Sequence, residues 1–134
     1  MDELAEAAAR FVAAWQPRFD VIVPVPPSTP RSVQPVHLLA SAVGHRLGIT
    51  VAHYLTTTRD SSPLKNINDL DERIRLLAGL YAVDPSVTTG KRILLFDDLY
   101  RSGATMNEIT TALYDQGRAA DVFVLTITRT RSVR

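Results

Sequence analysis

Apolar residues along this chain fall into two kinds of run: short unbroken stretches rich in β-branched residues, and longer stretches where they recur every three or four positions. Leu4, Ala8, Phe11, Val12 and Trp15 follow the second pattern and predict an amphipathic helix over residues 1–16, closed by Pro17. Val21 to Val23 follow the first, and Pro24, Pro26 and Pro27 remove ladder donors directly afterwards, so a buried strand is expected to stop at a rigid loop. Pro35 suits the first position of a helix that puts Val36, Leu39, Val43 and Leu47 on one face and ends at Gly48. ITVAHYL, Ile49 to Leu55, reads as a second strand, and TTTRDSSPLKNIND as a long loop without periodicity. Asp69 and Glu72 resemble a capping box opening a short helix through Ile74 and Leu77, ended by Gly79. LYAV then offers a minor strand before a turn at Asp84-Pro85. RILLF is the strongest strand pattern. Thr105 and Glu108 form a second capping-box pattern, before a helix that turns Met106, Ile109, Ala112, Leu113 and Gln116 inward and stops at Gly117. DVFVLTIT closes the series as a buried strand.

Strands alternating with helices predict an α/β fold of three layers, a mostly parallel sheet with helices on both faces and right-handed crossovers. The expectation is a single domain over 1–134, its core running from residue 20 and the helix of residues 1–16 packed against it. Such sheets bind ligands beyond the carboxyl ends of their strands, where the strand order reverses. Two stretches lie at such ends: the loop PPSTPRSVQ and the run ILLFDDLYRSGAT, Ile93 to Thr105.

Composition narrows the chemistry. A net charge of +1 gives no general field for nucleic acid or an anionic membrane, so a bound anion must be held locally. The absence of cysteine excludes disulfides, thiolate metal sites and thiol nucleophiles, and fits a reducing compartment. MDELAEAAARFVAAW is acidic and amphipathic, unlike a secretory signal, and no apolar run is long enough to span a bilayer, so a cytoplasmic protein is expected. His37, His45 and His53 show no metal-ligand spacing with a carboxylate and read as surface or packing residues.

Within ILLFDDLYRSGAT, four apolar residues run into Asp97 and Asp98, which suit sugar hydroxyls or a hydrated metal ion. The following residues suit a phosphate. Gly103 and Ala104 let backbone N–H groups curl inward, Ser102 and Thr105 add hydroxyls, Arg101 adds a cation, and the helix beginning there adds its positive end. Thr105 is equally explained as a helix cap, and Arg101 as an exposed loop cation. Diol and phosphate recognition a few residues apart match a pentose 5-phosphate.

The strand, acid pair, short loop and Gly-Ala-Thr resemble the phosphoribosyl pyrophosphate (PRPP) motif of type I phosphoribosyltransferases. The chain from Asp20 onward is most similar to the competence protein ComF family, through FDVIVPVPPS, the segment RDSSPLKNINDLDERIRLLAGLYAV and the closing TITRT. The resemblance implies that Asp97 and Asp98 contact the ribose hydroxyls and order a magnesium ion through its waters. It implies that Arg101 to Thr105 enclose the 5′-phosphate, that Ser28, Thr29 and Arg31 meet the pyrophosphate, and that a closing loop brings Lys65 and one of Arg59 or Arg73 near it. Ser28, Thr29 and Arg31 also read as ordinary turn residues, and Lys65 and Arg59 as solvated loop charges. The implied partners are PRPP and a nucleobase or amine acceptor, with a reduced or absent hood and a homodimer compatible with the apolar first helix. Three functions stay open: a magnesium-dependent phosphoribosyltransferase, a PRPP-binding accessory protein without turnover, and a module that docks partners through the first helix.

Overall fold

The computed structural model describes residues 2–15, 18–26, 35–59, 67, 69–100 and 103–129, with backbone alone for residues 2, 35, 98–100 and 127–129. Its main sheet has four strands, and every pairing is parallel. In chain order the elements are α1 (Asp2–Ala14), β1 (Val21–Pro24), α2 (Pro35–Leu47), β2 (Thr50–Val51), β3 (Leu55–Thr57), α3 (Leu70–Leu77), β4 (Tyr81–Val83), α4 (Pro85–Thr88), β5 (Arg92–Tyr100), α5 (Ala104–Asp115) and β6 (Asp121–Arg129). The sheet order is β2-β1-β5-β6, with β3 and β4 forming a separate antiparallel pair. The expected layered, mostly parallel architecture is therefore present.

Alternation along β5 divides the core. Ile93 and Leu95 belong to one fully enclosed cluster, with Leu77 of α3, Leu80 just before β4, and Ile109 and Leu113 of α5. Leu94 and Phe96 point into the other, with Ile22, Val43 and the inner faces of α1 and α2. The helices thus cover both faces.

Several sequence expectations need correction. The first helix buries Ala5, Ala8, Ala9 and Val12, whereas Leu4 and Phe11 are exposed. Alanine on the inner face lets α1 lie close against α2, and the larger residues turn outward. Trp15 instead joins an aromatic cluster, edge-on to Phe19 and Phe123 with ring centroids 5.6 Å from each. The stretch Ile49 to Leu55 is two strands rather than one: β2 ends at Val51, and β3 starts at Leu55 in the other sheet. Gln116 is exposed, its Nε2 donating to the Tyr81 carbonyl at 3.3 Å. Gly117 does not stop α5 by a left-handed turn, which falls on Arg118 (φ 53°). Gly117 is required by space, since a Cβ there would sit 2.7 Å from both the Leu113 carbonyl and Thr88 Oγ1.

Gly44 has a similar steric reason. A Cβ at this position of α2 would lie 2.6 Å from Val51 Cγ2 and 2.7 Å from the Ile49 carbonyl oxygen. The carbonyl cannot rotate away as a side-chain tip could, so the helix would have to move off the sheet. Gly44→Ala is expected to destabilise the chain by about 1–3 kcal/mol in urea denaturation. A loss under about 0.5 kcal/mol would show that α2 is not held against β2 this closely.

Candidate functional site

β1 leaves its α2 crossover on one side of the sheet, and β5 leaves through α5 on the other, with β1 and β5 adjacent at the centre. The order reverses between them, so the crevice of this fold opens where these two strands end. They do not end together. Pro24 pairs with Phe96, and the Val25 N–H donates to the Phe96 carbonyl at 2.9 Å, which closes the β1 side of the ladder. β5 runs on through Asp97 and Asp98 to Tyr100, paired among the described residues with β6, with Asp97 opposite Thr126 and Leu99 opposite Thr128. The backbone of the acid pair thus lies within β5, on the crevice side of the last β1 pairing.

Alternation carries the Asp97 side chain to the face of Ile93 and Leu95, where α5, α3 and β4 pack. Tyr81 of β4 registers it there. The phenol is pushed up to about 12, first by burial and then by the Asp97 charge, with Arg73 opposing and Glu108 adding to the rise. The folded chain therefore holds the phenolic proton more tightly than the unfolded chain, whose tyrosines titrate near 10. This contribution to stability is complete below about pH 10 and is lost as pH rises through about 12. Tyr81→Phe is expected to flatten the decline of stability across that window, measured by denaturation at successive alkaline pH values. An unchanged decline would refute the assignment.

The phosphate half of the motif begins at Gly103, which has φ 82° and ψ −13° and occupies the N-cap of α5. A left-handed residue here lets the chain leave β5 and enter the helix abruptly, and glycine adopts it without strain. The Thr105–Glu108 capping box is not formed, because the helix starts two residues earlier than that pattern requires and Gly103 supplies no side-chain cap. Glu108 instead accepts from the Gly79 N–H at 3.1 Å, tying the end of α3 to α5. The Thr105 hydroxyl, in the first turn of α5, accepts from Arg73 Nη2 at 3.4 Å. Arg73 reaches it from α3, whose start is capped by Asp69 accepting from the Asp71 N–H at 3.2 Å. A guanidinium thus lies beside the positive end of α5, and both favour an anion there.

The other candidate cation lies elsewhere. Arg59 Nη2 donates to the carbonyls of Leu76 at 2.7 Å and Ala78 at 3.0 Å, satisfying the C-terminal end of α3. Of the two arginines named for the closing segment, Arg73 is the one brought to the α5 terminus. Ser28, Thr29, Arg31, Lys65, Arg101 and Ser102 lie outside the described residues. Arg73 is hard to single out from sequence, since its spacing within α3 reveals nothing about the helix packed opposite.

No family model matches the chain, and no curated protein matches it in sequence. Solved structures do match it in fold. The glutamine PRPP amidotransferase of B. subtilis, complexed with ADP and GMP, superposes with a TM-score of 0.62 at 20% identity, over 95% of this chain and 26% of that one. A Neisseria gonorrhoeae protein with bound ppGpp gives 0.62 at 13% identity, over 99% and 69%. The purine phosphoribosyltransferase of Pyrococcus horikoshii gives 0.57 at 16% identity, over 96% and 71%. The chain spans about a quarter of the amidotransferase's length, and its fold is the one these proteins share.

Proposed function

We propose that this chain binds PRPP with magnesium and transfers the phosphoribosyl group to a nitrogen nucleophile, a nucleobase or amine, releasing pyrophosphate. The observation that carries the reading is the path of the chain from Asp97 to Thr105. An acid pair in β5, past the last pairing with β1, leads through left-handed Gly103 into a helix start faced by Arg73. The fold supports it as well, and ADP, GMP and ppGpp in the neighbours named above are all ribose phosphates.

The residues present fit a magnesium ion. Among the described residues no cluster of three histidines or carboxylates could cage a metal, and magnesium commonly uses one or two carboxylates and completes its shell with waters and substrate phosphates. Asp97 and Asp98 would hold it in that manner. When bound, it would neutralise charge on the departing pyrophosphate.

The chain's own residues would do the rest. The start of α5 and Arg73 would fix the 5′-phosphate, so that the sugar is oriented from one end. Asp97 and Asp98 would fix the ribose hydroxyls at the other and stabilise the positive charge that gathers on the ring as the anomeric bond breaks. The nucleophile's nitrogen forms the new bond to that carbon, and the bond to pyrophosphate breaks with its electron pair.

The test is incubation with PRPP and magnesium against a panel of purine and pyrimidine bases and small amines, read as pyrophosphate release. Release dependent on both acceptor and magnesium is expected. Calorimetric PRPP binding without release would assign the chain to PRPP-binding accessory proteins instead, and no binding would defeat both readings.

A further inference from the structure

Two of the three histidines, distant in sequence, meet at the carboxyl edge of the sheet. His37 lies in the first turn of α2, and His53 follows β2. Their ring centroids are 4.6 Å apart with the planes inclined at 51°. The chain positions them firmly, since the Ala52 N–H donates to the Ile22 carbonyl at 2.9 Å and so extends the β1–β2 ladder to the residue before His53.

The His37 Nε2 is buried and has no hydrogen-bond partner among the described residues. An imidazole nitrogen in that position can ligate a metal ion through its lone pair. A buried nitrogen without a partner costs free energy, and a bound cation would offset it.

We propose that His37 and His53 together form a site for a divalent transition-metal ion of the zinc, cobalt, nickel or copper class, with coordination positions left open to water or an anionic ligand. Imidazole nitrogens select these ions over magnesium, so the site is chemically separate from the carboxylates of β5. Among the described residues no third histidine or carboxylate joins the pair, which is why the remaining positions are open. The site does not depend on phosphoribosyl chemistry and stands or falls without it.

The experiment uses the 134-residue chain without a polyhistidine tag, titrated with zinc chloride by calorimetry and with cobalt chloride by visible absorption, in excess magnesium. One equivalent of zinc is expected to bind. His53→Gln and His37→Gln should each weaken it at least about tenfold, as loss of a ligand costs no less than loss of its supporting partner. His45→Gln, which removes the histidine outside the pair, should leave it unchanged. Should His37→Gln fail to fold, the exposed His53 decides alone. Absence of saturable zinc binding below millimolar concentration, insensitivity to His53→Gln, or equal loss in His45→Gln would each overturn the proposal.

Discussion

Replacing Asp97 and Asp98 together by asparagine is expected to lower phosphoribosyl transfer by about 10³-fold or more while the chain stays folded. Asparagine keeps the shape of each side chain and removes its charge, so what is lost is electrostatic: stabilisation of the sugar's developing cation and attraction for magnesium. Removing a single preorganised group at a site of developing charge already costs about 10²–10³ in rate. The substitution also has a readout that needs no substrate. Because the Asp97 charge helps hold the Tyr81 phenol at about 12, neutralising it should bring that value down, though burial, the larger cause, keeps it above the ordinary one. An alkaline absorbance titration compares the two proteins. A double variant that transfers phosphoribosyl as fast as the parent would remove the acid pair from the mechanism; an unmoved Tyr81 would remove Asp97 from the cluster described above.

Phe96→Ala should produce the largest loss of stability, about 3–5 kcal/mol. The ring is wholly enclosed at 0% exposure, in the cluster formed with the inner faces of α1 and α2. Its backbone also accepts the Val25 N–H that ends the β1 side of the ladder. The cavity therefore opens beneath the crevice, on the face of β5 opposite Asp97. Urea denaturation of the parent, Phe96→Ala and the volume-sparing Phe96→Leu separates cavity from chemistry, with the leucine variant expected to lose under about 1.5 kcal/mol. A loss below about 1 kcal/mol in the alanine variant would contradict tight packing between β5 and the α1–α2 layer.

Much of this architecture is readable from residue pattern because local and global preferences agree. Val21 to Val23 and Ile93 to Phe96 are unbroken apolar runs, and such runs are what a strand buried on both faces requires. Pro35, Asp69, Gly48 and Gly79 mark helix boundaries through backbone chemistry that acts over a few residues, so they were visible too. What escaped depends on contacts between distant segments. The inner face of α1 is set by how near α2 can come, which favours alanine over Leu4 and Phe11 whatever their hydrophobicity. The break between β2 and β3 reflects a change of sheet partner inside one β-branched stretch. The acid pair stood out because it follows a strong strand in one continuous run. The His37–His53 pair did not, and the choice of Arg73 over Arg59 could not be made, since each depends on packing between segments with no fixed spacing.

The strand order also sets a schedule for folding. β5, α5 and β6 are consecutive, so their crossover can assemble from neighbours in the chain, whereas the start of β1 must meet a partner 72 residues away, as in the bond from the Arg92 N–H to Asp20 Oδ2. Closing so long a loop is entropically costly and slow. The half of the molecule bearing the acids and the left-handed glycine can therefore take shape from local contacts, and the crevice acquires its second wall when β1 docks.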